Sequence, residues 1–210
     1  MSTEKYPAFP KIPRLHREVV LTEKIDGTNG LISIVEAPYG VAAGEVSEDG
    51  YYVVDDRIGA IKAGSRTRWI SPEQDNFGFA KWVRENAEEL VLRLGSGNHY
   101  GEWWGSGIQR GYGQPNGWRN FSLFNTGRWD ADEVSGFNID GLGVVPVLWS
   151  GDASHLNEMI RATTLDLGYF GSRAAPEFMK PEGVIVYHVA GGHTYKVLLE
   201  NDNQPKGNAA

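Results

Sequence analysis

"VVLTEKIDGTNGLISI", residues 19–34, is the stretch on which the fold turns. Two runs rich in Val, Leu and Ile flank the dipeptides Asp26-Gly27 and Asn29-Gly30, the strongest short-range hairpin signals a sequence offers. Lys24 stands just ahead of them, between Glu23 and Asp26. Read as a turn, the stretch makes Lys24 a solvated residue on a hairpin rim. Read as chemistry, it makes Lys24 a nucleophile presented by that turn.

The rest of the chain limits the choice. With 210 residues it is long enough to bury a core as one domain, and 27 glycines and 10 prolines point to many turns and short strands. It has no cysteine, which excludes disulfides and thiolate-bound zinc. A net charge of -7 argues against coating nucleic acid by bulk electrostatics. Any such binding must be local, and Arg66 with Arg68 and Arg110 with Arg119 are basic pairs beside aromatic residues. No leader-like apolar region opens the sequence and no window suits a membrane span, so a cytoplasmic protein is expected.

Short runs bounded by Gly, Asn, Asp or Pro predict strands at 19–25, 31–35, 51–54, 99–103, 121–125, 144–149, 183–189 and 194–200. Two helices are expected among them. The first has Ser71 as N-cap, Pro72 at its first position and Phe79, Val83, Ala87, Leu90 and Leu94 as its buried stripe up to Gly95. The second runs over 152–167, with Leu156, Met159, Ile160, Thr163 and Leu167 buried and Gly168 as its stop. This order gives an α+β domain of antiparallel β-sheets flanked by helices over residues 1–202, followed by a disordered tail at 203–210.

A lysine attacks only after losing its proton, which requires desolvation or nearby positive charge. Glu23 and Asp26 act in the other direction, so other groups must assist. Arg66, Glu102, Glu182 and Lys196 are charged residues among apolar or glycine-rich neighbours, each at or in a predicted strand. Two carboxylates, two lysines and an arginine are what a site for a triphosphate and magnesium needs.

Lys24 in "EKIDGTN", Arg66 in "SRTR", Glu102 in "GEWWG", Phe124 in "FSLFN", Glu182 in "PEGVIVY" and Lys196 in "YKVLLE" occur in a telling order. Over residues 18–202 the chain resembles the covalent nucleotidyltransferases of nucleic-acid joining and capping, above all the ATP-dependent RNA ligase family. The resemblance implies an ATP-grasp-like catalytic domain without the added C-terminal domain of many ligases, using ATP and Mg2+ or Mn2+ on RNA ends. It implies that Lys24 takes AMP, that Glu182 holds the metal and that Lys196 meets the α-phosphate. Arg66 would bind a phosphate, Glu102 would orient the nucleotide and Phe124 would stack on adenine, with Glu23, Asp26, Gly27 and Asn29 completing the nucleotide contacts. Asn29 stands where DNA ligases usually carry arginine, which favours RNA. Leu198 stands where the last motif usually has a second lysine, leaving Lys206 or an arginine to substitute, and Asn125 replaces a common Asp. Substrate recognition would then rest on the catalytic domain itself or on a protein partner. A DNA ligase, a capping-type guanylyltransferase and a catalytically silent module that binds nucleic-acid ends remain alternatives.

A geometric expectation follows. An even loop between the last two strands separates Glu182 from Lys196 by face, so an odd loop, Gly191–His193, or a bulge is expected, and regular even pairing would rule out a site shared by the two. His188 and His193 are expected to be satisfied by that hairpin rather than to bind metal.

Overall fold

The computed structural model describes residues 6–202, so the tail expected at 203–210 and the substitute Lys206 lie outside the described residues. Two sheets form the molecule. β1 (Glu18–Lys24) is flanked by β9 (Val147–Asp152) and β10 (Gly183–His188), and β11 (His193–Leu198) completes an antiparallel sheet in the order β11-β10-β1-β9. The larger sheet runs β3 (Tyr52–Asp55), β4 (Gly59–Gly64), β2 (Thr28–Val35), β6 (Gly97–Gly105), β7 (Arg119–Leu123), β8 (Leu142–Val144). The two-residue β5 (Trp69–Ile70) pairs β4, and β7 with β8 is a parallel pair in an otherwise antiparallel fold.

β1 and β2 lie in different sheets, so the hairpin expected in the opening stretch does not form. Residues 25–27 cross between layers, and Asn29 and Gly30 lie inside β2, opposite Glu102 and Gly101. These glycines serve close approach rather than a turn. A Cβ at Gly27 would stand 2.4 Å from the Trp103 carbonyl oxygen, and one at Gly30 would stand 2.7–2.8 Å from the Phe79 and Phe121 rings. Both glycine signals are real, but packing claimed them.

One face of the larger sheet supplies Ile32, Ile61, Trp103, Phe121 and Leu123 to a core covered by α1 (Phe79–Glu85) and α2 (Ala87–Leu94). The smaller sheet turns Leu21, Val184 and Val186 onto Leu167 of α4 (Leu156–Phe170). A third cluster, Ile25, Trp104, Tyr112, Val145 and Ala175, fills the space where the sheets meet.

The expected helical stripe at 79–94 is present, but the cap is elsewhere. Ser71 bridges Gln74 in a turn, and the Asp75 carboxylate accepts from the backbone N–H groups of Asn76, Ala80 and Lys81 at 2.6, 2.8 and 3.0 Å. An acid near the start of a helix satisfies its free donors and its dipole, so helix formation waits for Asp75. Asn86 then breaks the run into two helices, its side-chain amide donating to the Trp82 carbonyl at 2.9 Å. The later helix passes through Gly168 and stops at Gly171, whose φ of 80° suits glycine. A third helix, α3 (Ala131–Ser135), capped by Asp130, and strands β4 and β5 were not expected from the sequence. The run expected at 144–149 is split into β8 and β9 around Pro146, which has no N–H to continue a ladder.

The β10–β11 pairing is regular, His188 opposite His193, with a four-residue loop. The expected odd loop or bulge is absent, because the N–H groups of Gly191 and Gly192 bond back to His188 and so extend the loop by a residue pair. His188 accepts from the Gly191 N–H through Nδ1 within the hairpin and meets the Leu15 carbonyl through Nε2 outside it. Among the described residues no helix is long and apolar enough to cross a membrane.

Candidate active site

Alternation along β1 sends neighbouring side chains to opposite faces. Glu23 points into the α4 side and is 1% exposed, accepting from Ser172 Oγ at 2.6 Å, Arg173 N at 2.7 Å and Ala174 N at 2.9 Å. Burial pushes its pKa up, against those three bonds. The expected nucleotide contact therefore does not come from the Glu23 carboxylate, which is committed to the 172–174 loop. Lys24 points the other way, into the gap between sheets.

There its ammonium forms an ion pair with the Glu182 carboxylate, the two side chains 22% and 18% exposed. Glu182 immediately precedes β10. The alternation that puts its Cα out of phase with Lys196 does not bind a side chain outside the strand, and its carboxylate reaches Lys24. Lys196 lies opposite Ile185, which lies opposite Thr22, on the face that carries Lys24. Its Cα is roughly 12 Å from that of Lys24 by sheet geometry, and the regular even pairing leaves Lys196 without a described contact to Glu182, against the expected shared site. Leu198 pairs Gly183, which pairs Lys24, so the apolar residue occupies the place on β11 nearest the nucleophile candidate.

The second wall is the larger sheet. Glu102 is 9% exposed, and its two oxygens accept from Gly27 N and Asn29 Nδ2, both at 3.0 Å. Burial is the main cause that raises its pKa to about 7, with Lys24 opposing. Asp26 pairs its carboxylate with Arg110 Nε at 3.0 Å, while its N–H donates to the Tyr112 hydroxyl at 2.8 Å. Arg110 also donates to the carbonyls of Lys180 and Pro181 at 2.9 and 3.4 Å, holding the segment that leads to Glu182.

Phe124 follows β7 opposite Tyr100, on the Glu102 face, and is 41% exposed, so it is no core aromatic. Arg66 is exposed in the turn from β4 to β5, at the end of the sheet where Thr28 starts β2, and makes no described contact with Lys24. The structure thus joins Lys24 with Glu182 directly, gathers Gly27, Asn29 and Glu102 by hydrogen bonds, ties Asp26 in through Arg110, and leaves Arg66, Phe124 and Lys196 around the rim. Sequence reasoning missed Arg110 as a site residue, Tyr112 and Ser172. Arg110 was legible as a basic residue beside aromatics; Ser172 carried no signal.

Comparisons with known proteins bear on the family and the fold. The family model described as RNA ligase matches residues 17–198. No curated protein matches the sequence. Among solved structures, a mutant of Naegleria gruberi RNA ligase with ATP and Mn is similar at a TM-score of 0.55 and 16% identity, covering 88% of this chain and 50% of that one. The Naegleria gruberi RNA ligase with PPi is similar at a TM-score of 0.52 and 18% identity, covering 87% and 50%. The chain spans about half the length of these solved chains, and at such identity the likeness is one of fold.

Proposed function

Because the chain belongs to the RNA ligase family, we propose that it is an ATP-dependent polynucleotide ligase that joins 5′-phosphate and 3′-hydroxyl RNA ends through a lysyl-AMP intermediate on Lys24. The observation that carries the reading is the meeting of Lys24 and Glu182, 158 residues apart, beside a buried carboxylate held by the next residues of the same stretch.

In the first step the Lys24 amine forms a bond to the α-phosphorus of ATP, the bond to the β-phosphate oxygen breaks, and pyrophosphate leaves. In the second, a 5′-phosphate oxygen displaces the lysine, leaving an AMP-capped end. A 3′-hydroxyl then attacks that end, releasing AMP and forming the phosphodiester. Covalent catalysis divides a hard exchange into easier ones, and placing phosphate charge is most of what the protein must do. Glu102, Gly27 and Asn29 form the polar cradle for the nucleotide's sugar, Phe124 stacks on its base, and Lys196 and Arg66 meet phosphate oxygens. A neutral Glu102 can donate a hydrogen bond and an ionised one can only accept, so its pKa of about 7 lets binding choose the form.

No group of three His, Cys, Asp or Glu among the described residues makes an all-protein metal cage. The donor set suits an ion of the magnesium type, which typically takes one or two carboxylates together with substrate phosphates and water. Glu182 would hold it, and when bound the ion would supply charge neutralisation at the phosphates while drawing Glu182 from the lysine.

The test is incubation with magnesium and α-labelled ATP or GTP, followed by measurement of acid-labile label on the chain. Label from ATP that disappears in Lys24→Ala supports the proposal. Label from GTP alone means a capping enzyme, and no label means a silent end-binding module.

A further inference from the structure

The register of the larger sheet carries an unassigned feature. Trp69 pairs Gly64, Gly64 pairs Leu31, Leu31 pairs Tyr100, and the Phe124 N–H donates to the Tyr100 carbonyl at 3.0 Å. One residue from each of five neighbouring chain segments thus lies in a single row, on the face that carries Glu102. Outward strand positions usually hold polar residues, yet Trp69, Tyr100 and Phe124 are 48%, 55% and 41% exposed. Gly64 is what lets the indole settle: a Cβ there would meet both Trp69 and Leu31 at 3.3 Å. One row further, the Lys62 ammonium stands 4.5 Å from the centre of a Trp69 ring, anchored on the Asp49 carbonyl.

We propose that Trp69 and Tyr100, with Lys62 beside them, form a stacking platform for unpaired bases of the RNA strand, continuous with the nucleotide site at Glu102 and Phe124. The inference rests on the ligase reading and deepens it by naming the form of substrate. At about 4.8 Å per strand the row from Trp69 to Phe124 spans roughly 19 Å, room for several stacked or splayed bases. Aromatic faces meet only bases whose own faces are free, which excludes the interior of a duplex. The chain's net charge of -7 requires local cations for phosphate, and Lys62 with the arginines of the 65–68 turn supplies them along this row.

The full protein is titrated into a short fluorescein-labelled, 5′-phosphorylated single-stranded RNA without ATP, with thermal unfolding of each variant as the fold control. Trp69→Ala is expected to weaken binding about tenfold and Trp69→Phe by no more than about threefold. Lys62→Met lowers the slope of log affinity against log salt by about one. A blunt RNA duplex of the same sequence binds more weakly than the single strand. Unchanged affinity in a folded Trp69→Ala, or equal affinity for the duplex, overturns the platform. Labelling of Lys24 by ATP is measured separately. Wild-type labelling without Trp69-dependent binding refutes the platform alone, whereas Trp69-dependent binding without labelling supports the platform and refutes the ligase.

Discussion

Gly30→Ala tests whether the central glycines serve packing. The position lies within β2 and has no positive φ, so alanine is conformationally allowed there and by backbone entropy gains roughly 0.5–1 kcal/mol over glycine. Against this, the new Cβ would lie 2.7 Å from Phe79 Cζ and 2.8 Å from Phe121 Cε2 and Phe79 Cε1. Carbon atoms rest at about 3.5–4.0 Å, so ring atoms must retreat by close to 1 Å. Neither ring has free room: Phe79 and Phe121 are 1% and 0% exposed, 4.9 Å apart by centroid, and Phe79 also packs on Trp82 and Trp103. Overpacking of this kind costs about 1–3 kcal/mol, leaving a net loss of about 1–2 kcal/mol and a fall in Tm of roughly 2–8 °C for a chain of this size. Urea unfolding of the wild type, Gly30→Ala, Phe79→Leu and the double variant gives the coupling. Because Phe79→Leu removes the obstructing ring, Gly30→Ala should cost at least about 1 kcal/mol less in that background. Strict additivity would refute the packing account and restore a conformational one.

Three further outcomes follow. Glu102 binds its proton more tightly folded than unfolded, its pKa rising from the ordinary 4.5 to about 7. Its contribution to stability is therefore full below pH 4.5 and is lost as pH rises through 7, a change of about 3 kcal/mol at 1.4 kcal/mol per unit. In Glu102→Gln this component vanishes, so the stability difference from wild type must shift between pH 4.5 and pH 8 in chemical denaturation; a constant difference refutes it. Glu23→Ala strands the donors of Ser172, Arg173 and Ala174 and should cost about 3 kcal/mol. Lysyl-AMP formation should slow with it, since the same segment leads to Glu182; an unaltered melting curve contradicts this. Arg110→Ala should lower the rate of AMP labelling about tenfold while costing about 1 kcal/mol or less, because its ion pair is partly exposed. Equal labelling by variant and wild type would show that the 180–181 carbonyls need no such clasp.

The strands of the smaller sheet and the stripe of α1 and α2 were readable because period-2 and helical alternation survive in single segments. The α+β class followed from the same signals together with family resemblance, whereas strand pairing did not: Lys196 lies opposite Ile185, not His188. β4 was not readable: "GAIKAG" has little β-propensity and owes its strand to β3 and β2 on either side. Gly27 and Gly30 misled for a physical reason, since the residue a turn needs is also the one that lets a backbone approach a ring or a carbonyl. At the site, the charged residues were legible and their directions were not. Glu23 was expected among the nucleotide contacts, but the pleat sends it to Ser172, and Glu182 reaches Lys24 despite its register because it stands one residue outside its strand.

The three-residue passage from Lys24 to Thr28 sets a limit on motion. Fully drawn out it spans about 14 Å, and hydrogen bonds pin it at both Asp26 and Gly27. Any parting of the two sheets would therefore be smallest at Lys24, as shear blades open widely at the tips while the rivet stays put. In this molecule the rivet and the cutting point coincide. A nucleotide bonded to Lys24, as proposed, would ride on the pivot itself.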